Sequence, residues 1–514
     1  MIEARTSIVS IWRFAESVKN AKRDGRRSVR ITAIAHAGSA FNKCRAVRVN
    51  LWRAISHGRF SCMIKEVVCR GCGKLPFFVS SEGASHIEGH ILNVGVNGME
   101  TIVMKFGGTS VATPEKIIGV AKRVIREKEK GKRVVIVVSA MGKTTDTLLG
   151  LAAEISSKPS KREMDMLLAT GEQVTISLLA MAFKQLGHEA LSFTGWQAGI
   201  ETESVPRNAR IEQIHTERLE RVLENDYLCV VAGFQGVDKS GNITTLGRGG
   251  SDTTAVALTA ALKAEKCEIY TDVNGVYTSD PRYVTGARKL QQISYDEMLE
   301  LANLGAGVLH PRAVEFAKNN QVPLSVRASY SDEPGTIIQE VITVEKNLIV
   351  RGVAFEPGVA RVTVTYQEPF NGSLANIFNK LAENQIDVDI IVQSISDEFP
   401  PSVSFSISQE HLEETRRVLM ASKKDIGFLS LNMEVELAKV SIVGSGMVSN
   451  PGVAAHMFDI LRSEEIPVKM VSTSEIKISV VVPEVKMTQA ATALHDAYEL
   501  AERQHATEMV VSAQ

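Results

Sequence analysis

From residue 101 onward the chain repeats one pattern, a short apolar run followed by a glycine-bearing loop and then an amphipathic helix. Thr101-Ile-Val-Met104 leads into Lys105-Phe-Gly-Gly108-Thr-Ser110. A helix should follow. Thr113 can cap it, Pro114 suits its first turn, Ile117, Ile118, Ala121, Val124 and Ile125 share one face, and Gly131 ends it. Residues 134–138 form a second apolar run, and further runs lie at 228–232, 268–271 and 323–326, separated by helical patterns such as 173–183 and 253–264. Strands apolar on both faces must be covered on both faces, which predicts an α/β fold with a mainly parallel sheet between helices. Ligands of such sheets bind beyond the carboxyl ends of the strands, so the loops after these runs are where chemistry is expected.

At 514 residues the chain is too long for one ordinary core. With 44% hydrophobic and 23% charged residues the body reads as a soluble globular protein, and no apolar run approaches the roughly 18 residues that span a bilayer. The net charge of −1 hides an asymmetry: residues 1–98 hold 16 Lys+Arg against 6 Asp+Glu, or +10, leaving −11 for the rest. Four of the six cysteines, Cys44, Cys62, Cys69 and Cys72, also lie in that basic stretch. Only Cys229 and Cys267 remain beyond it, which implies no disulfide framework and a cytoplasmic setting.

Residues 1–98 read as a basic, unpatterned extension without a domain of their own. Cys69 and Cys72 with His86 and His90 have the spacing of a C2H2 zinc site, but the hydrophobic residues of such a finger are not evident. Composition changes abruptly at Met99, so the extension is expected not to be native, with translation starting at Met99 or Met104.

The loops after the strands share a character. Lys105-Phe-Gly-Gly-Thr-Ser, Ser139-Ala-Met-Gly-Lys and Leu246-Gly-Arg-Gly-Gly-Ser-Asp252 each offer backbone N–H groups free of bulky side chains, together with one cation. Phosphate requires both. Neither G-x-x-x-x-G-K-[ST] nor G-x-G-x-x-G occurs at these loops, so a P-loop or dinucleotide fingerprint is not indicated.

Taken in order, Lys105-Phe-Gly-Gly-Thr-Ser-Val111, Gly171-Glu172, Gly247-Arg-Gly-Gly-Ser-Asp252 and Thr271-Asp-Val-Asn-Gly-Val-Tyr277-Thr-Ser-Asp-Pro-Arg282 resemble the aspartokinase family of amino acid kinases, over about residues 102–510. The resemblance implies transfer of the γ-phosphate of ATP, with Mg²⁺, to the side-chain carboxylate of aspartate, the first step toward lysine, threonine and methionine. It implies catalytic roles for Lys105, Arg248 and Asp252, with Lys105 on the transferred phosphate and Asp252 orienting Lys105 or Mg²⁺. Ser139, Thr145, Glu172, Arg248 and Ser251 would hold aspartate, Arg248 at its α-carboxylate and Glu172 at its ammonium group. Lys105, Gly107, Gly108, Thr109, Thr271, Asp272, Tyr277 and Arg282 would surround ATP. No resident metal ligands are expected. Plainer readings stand beside these: Glu172 in the first turn of a helix, Ser139 and Thr145 as turn or capping residues, Arg248 in a salt bridge. Many relatives carry Lys in the segment that here reads Gly305-Ala-Gly-Val-Leu-His-Pro311, and this chain has Gly307. The chemistry needs no general base, because a carboxylate with a reference pKa near 3.9 is already ionised at neutral pH. Positioned cations and amide donors are what remains to be supplied.

Beyond residue 341 the chain repeats itself. Ala360-Arg-Val-Thr-Val matches Ala438-Lys-Val-Ser-Ile, and Gly372-Ser-Leu-Ala-Asn-Ile-Phe matches Gly452-Val-Ala-Ala-His-Met-Phe, each copy following a split βαβ pattern of ferredoxin-like type. These copies resemble ACT domains. The resemblance implies lysine, alone or with threonine, as effector, held by Asp389 and Gln393 of one copy with Met447, Val453, Ser474 and Glu475 of the other; Lys469 stands where the first copy has Asp389. The expected division is a kinase domain over 99–340 and ACT copies over 341–432 and 433–514. Pairing of ACT sheets predicts a homodimer or higher homo-oligomer, and neither nucleic acid nor membrane is expected as a partner. Two other readings stay open: a kinase for glutamate or N-acetylglutamate, and a catalytically silent amino-acid sensor.

Overall fold

The computed structural model describes residues 100–305, 307–340, 349–367, 373–395 and 400–501, together with four strands within the first 98 residues. The chain divides into two compact units, Met1–Val96 and Asn97–Gln514. In the first, Arg30–Ala33, Val47–Ser56, Arg59–Cys69 and Gly73–Leu75 form an antiparallel sheet in sequence order. Sequence periodicity did not reveal it, since the register of its longest pairing shifts between Asn50 and Leu51 and breaks the alternation there. Of the suggested zinc ligands, Cys72, His86 and His90 lie outside the described residues.

The second unit begins with the expected parallel sheet. From one edge its order is Ala190–Phe193, Leu228–Ala232, Arg133–Val138, Thr101–Phe106, Lys266–Thr271 and Leu324–Ala328, all parallel; Thr336–Ile338 and Gln292–Ile293 complete it in the opposite direction. Alternation along each strand feeds two separate cores. Ile102, Met104, Ile136 and Val230 join Val120, Val124 and Phe183 on one face, whereas Val103, Val135, Val137 and Val231 meet Ala255, Val256, Ala313 and Val314 on the other. Each such aliphatic side chain, fully buried, contributes about 1.5–3 kcal/mol, so the sheet is the mechanical base of the domain. A start at Met104 would remove residues 101–103, which pair with both neighbouring strands.

Helix Pro114–Glu129 is capped by the Thr113 side chain as expected. The helix placed at 253–264 runs instead Gly250–Ala261, because Gly249 adopts a left-handed φ of 67° and lets the helix start immediately after it. A small second sheet, Ile243–Thr245, Gln235–Asp238, Ile200–Thr202 and Ile211–Ile214, carries strands too short for sequence patterning. One helical stretch among the described residues, Lys161–Gln185, is apolar and long enough to cross a membrane by length and composition. Met164, Leu168, Ile176, Leu179 and Phe183 of that stretch are buried in the protein core.

The two regulatory copies share a single six-stranded sheet, ordered Ile391–Ser394, Ser402–Ser408, Gly352–Thr365, Ser430–Val443, Lys477–Pro483, Met470–Thr473. Its two central strands serve both copies. Residues 359–365 and 430–437 pair within the first copy, whereas 352–356 and 439–443 pair within the second, with irregularities between Glu356 and Arg361 marking the change. The linear division at 432/433 therefore gives way to a nested one. The second copy takes its outer strand from residues 352–356, ahead of the first copy in sequence, and strand pattern alone cannot say which edge a strand will join.

Candidate active site

Phe106 pairs with Val138 on one side and Tyr270 on the other, and Val138 with Ala232, so four strands end side by side and their loops form one rim. Lys105 is the last but one residue of its strand, only 8% exposed, with Nζ 2.5 Å from Asp252 Oδ1. Asp252 stands in the first turn of helix Gly250–Ala261. The two loops on either side of Lys105 approach closely. Gly107 N donates to Tyr270 O (3.1 Å), and Gly142 N donates to Gly108 O (3.0 Å). A Cβ at position 108 would sit 2.7 Å from Ala140 O, so only glycine permits that approach, and it leaves closely packed backbone beside one ammonium group. Thr109 is exposed on this loop.

Glu172, in the first turn of helix Thr170–Gln185, reaches the same rim from behind. Its Oε1 accepts from Ala140 N (3.1 Å) and its Oε2 from Gln235 Nε2 (3.4 Å). Burial outweighs these bonds and pushes its carboxyl up to about 8. Glu172 thus ties the 139–142 loop to the helix. Ser139 is half-buried directly after its strand, Thr145 lies in the first turn of helix Thr144–Ile155, and Ser251 is buried against Gly233, where an added Cβ would lie 2.7 Å from Ser251 Oγ. Arg248 is exposed at the tip of its glycine loop and makes no ion pair among the described residues.

The segment after Lys266–Thr271 holds the remaining candidates. Thr271 Oγ1 donates to Asp272 Oδ1 (3.1 Å), and Tyr277 is bridged to Lys289 in a short antiparallel pairing. Arg282 lays its fork on Asp280, Nε to Oδ1 at 3.0 Å and Nη2 to Oδ2 at 2.6 Å, which holds the Asp280 carboxyl below its ordinary range. Asp280 was overlooked in the sequence although it lies within the recognised motif. Ser110, also inside a motif, is buried with no partner for its hydroxyl, as expected of a group awaiting a ligand. Gln235, His310 and Arg312 carried no sequence signal, because only the fold brings them to the rim.

The six effector candidates do not converge within one chain. Asp389 lies where the two copies meet, its Oδ2 2.5 Å from Lys439 Nζ, which also binds Glu356 at 2.8 Å. Next to it Ile390 packs with Leu437, Met470 and Val481. Met447, Val453, Ser474 and Glu475 sit at the other end of the second copy; four residues of strand, about 13 Å, separate Ser474 from Met470. There Ser474 and Glu475 line a cavity of about 770 Å³ together with Ser294 and Lys318 of the catalytic side and Arg351, which directly precedes the regulatory strand Gly352–Thr365. Gln393 is exposed on the edge strand Ile391–Ser394. The two copies are joined along their strands and present these ends in different places.

Comparison with known proteins agrees with this geometry. Residues 100–328 match the amino acid kinase family and residues 440–498 an ACT domain. An aspartokinase of Bacillus sp. (strain MGA3) is 63% identical over 402 residues, covering 78% of this chain and 98% of that one. E. coli aspartokinase III superimposes with a TM-score of 0.66 in its R-state complex with aspartate and ADP, and of 0.64 in its T-state complex with lysine and aspartate. Both are 26% identical, with 77% of this chain and 99% of theirs covered. Glycine loops converging on a lysine–aspartate pair, a parallel sheet that fixes them, a paired ACT sheet and identity of this extent place the chain in one group: it belongs to the aspartokinase family.

Proposed function

We propose that the protein is an aspartate kinase that transfers the γ-phosphate of MgATP to the β-carboxylate of aspartate, giving 4-phospho-L-aspartate. The observation that carries this reading is the buried Lys105–Asp252 pair at the floor of the glycine loops, with Glu172 on the same rim. Two anions must be brought together in line, and repulsion between them is the main obstacle. Asp252 holds Lys105 in place, so that the lysine charge opposes the charge on the phosphoryl oxygens. Arg248 presents a planar fork suited to the α-carboxylate, and Glu172 an acceptor for the ammonium group. Mg²⁺ enters with the substrate as MgATP, and Asp272 is an exposed carboxylate within the 271–282 segment.

Lysine, alone or with threonine, is the proposed effector, bound on the ACT sheet. Because its six candidate residues do not meet in one chain, a shared pocket requires a second copy. Ile391 (50% exposed), Val392 and Ile395 on and beside the edge strand supply an apolar sheet edge for that pairing. The free, buried thiols of Cys229 and Cys267 support a cytoplasmic setting. Incubation with MgATP and candidate amino acids, followed by trapping of acyl phosphate with hydroxylamine, tests the reading. Hydroxamate from aspartate is expected; product only from glutamate, or none from any amino acid, would overturn it.

A further inference from the structure

Arg312, near the rim, donates to neutral acceptors drawn from two separate segments. It is the second residue of helix Pro311–Asn320. Its Nη1 donates to Leu246 O (2.5 Å) and to Asn208 Oδ1 (3.0 Å), and its Nη2 donates to Ala209 O (3.0 Å). These acceptors flank the glycine loop that carries Arg248. Leu246 is the residue before Gly247, and Gly247 lies so near the other segment that an added Cβ would meet Asn208 Oδ1 at 3.0 Å. An ordinary surface arginine seeks a carboxylate; this one, half-buried, bonds carbonyls, which is the use expected of a rigid fork holding backbone in place.

The loop needs such holding. Gly247 and Gly249 both have left-handed φ, 78° and 67°, so the backbone around Arg248 is intrinsically permissive and would otherwise sample several conformations. A second contact comes from the same helix end: His310, whose Nδ1 accepts from Arg312 N (3.3 Å), fills the space beside Gly249, where a Cβ would lie 2.1 Å from its side chain. From the opposite side the fully buried Asp165 accepts from Arg207 N (3.0 Å), Thr245 N (3.0 Å) and Thr245 Oγ1 (2.7 Å), and it keeps Arg207 at a left-handed φ of 74° beside Asn208. The loop base is thus gripped from both sides, while Arg248 at its tip stays exposed and without an ion pair.

We propose that Arg312 is a positioning residue for the amino-acid substrate: its fork joins residues 208–209 to Leu246 and so fixes where the Arg248 guanidinium meets the substrate α-carboxylate. This rests on the aspartate kinase reading. A displacement of about 1 Å at Arg248 would weaken its two parallel bonds to the carboxylate while leaving the Lys105 end, on a separate strand, in place. The phosphate side of the site should therefore be spared.

The experiment compares Arg312→Lys, which keeps charge but loses the fork, with Asn208→Ala, which removes a single acceptor, by steady-state kinetics of hydroxamate formation and by thermal unfolding. Arg312→Lys should raise the aspartate KM roughly tenfold with the ATP KM within about twofold, and Asn208→Ala should raise it by a smaller factor in the same direction. In an Arg248→Ala background the effect of Arg312→Lys on aspartate KM should disappear, because the group it positions is gone. Equal losses for both substrates, an unchanged aspartate KM, or full additivity with Arg248→Ala would overturn the proposal. Wild-type protein that forms no aspartyl hydroxamate would instead overturn the kinase reading, so the two failures are distinguishable.

Discussion

The catalytic and regulatory regions use their sheets in opposite ways. In the catalytic region each strand contributes its own loop to one rim, so Lys105, Asp252, Glu172 and Ser251 are assembled within a single chain. In the regulatory region the strands Gly352–Thr365 and Ser430–Val443 each belong to both copies. Sharing strands makes the copies one mechanical body, but it scatters the effector candidates. The catalytic candidates meet within one chain, whereas the effector candidates stand apart along the regulatory sheet. The two regions meet at Glu297, fully buried in helix Tyr295–Asn303, whose Oε1 accepts from Ser445 N (2.9 Å) and Oγ (2.7 Å) and lies 3.6 Å from Arg351 Nε. A second junction joins the buried His495 of the last described helix to Thr278 Oγ1 at 2.9 Å, on the segment that carries Tyr277.

The comparison breaks most sharply at Lys105. Lys105→Ala should lower kcat by about 10²–10³, roughly 3–4 kcal/mol, without altering effector binding; near-normal turnover would show that the rim assembles around something else. Glu297→Ala, which removes the acceptor of the Ser445 N and Oγ donors and of the Ser294 cap, should cost about 3 kcal/mol in denaturant unfolding. Loss of lysine inhibition in the weaker Glu297→Gln, with aspartate turnover kept, would mark the junction as the transmission path.

Glu172 sharpens the catalytic side through pH. With its carboxyl pushed up to about 8, the ionised form that attracts the substrate ammonium is scarce in the free enzyme at pH 6–7. Aspartate KM should fall by up to about tenfold per pH unit as pH rises toward 8 and then level off, and Glu172→Gln should remove that slope. The stability effect has the opposite sign. The folded state holds this proton more tightly than the unfolded chain, so the Glu172 contribution is fully present below about pH 4.5 and is lost as pH rises toward 8.

Asp389 tests the regulatory side. Asp389→Ala should weaken lysine inhibition by about tenfold and leave uninhibited turnover unchanged; inhibition unchanged here and in Glu475→Ala would remove both from the effector site. The smallest effect lies farthest from either site: Thr113→Ala should cost about 1 kcal/mol of stability through the lost cap of helix Pro114–Glu129, with both KM values unaffected.

The sequence by itself determined what local chemistry dictates. The apolar strands at 101–106 and 133–138, the Thr113 cap and the glycine loops with Lys105 and Arg248 were legible because buried strands, caps and phosphate-binding turns each demand particular residues at short spacing. The short strands of the second sheet were not, because three or four residues carry too little period to be distinguished from loop. Tertiary packing settled that Asp252 meets Lys105, one of its two expected partners, and it alone set that Arg312 bonds the base of the Arg248 loop, that residues 352–356 complete the second regulatory copy, and that Asp389 pairs with Lys439. Those contacts join residues from 50 to almost 150 positions apart in the chain. Their partners are chosen by which strand edges and helix ends the packed cores bring together, and local spacing carries no record of that choice.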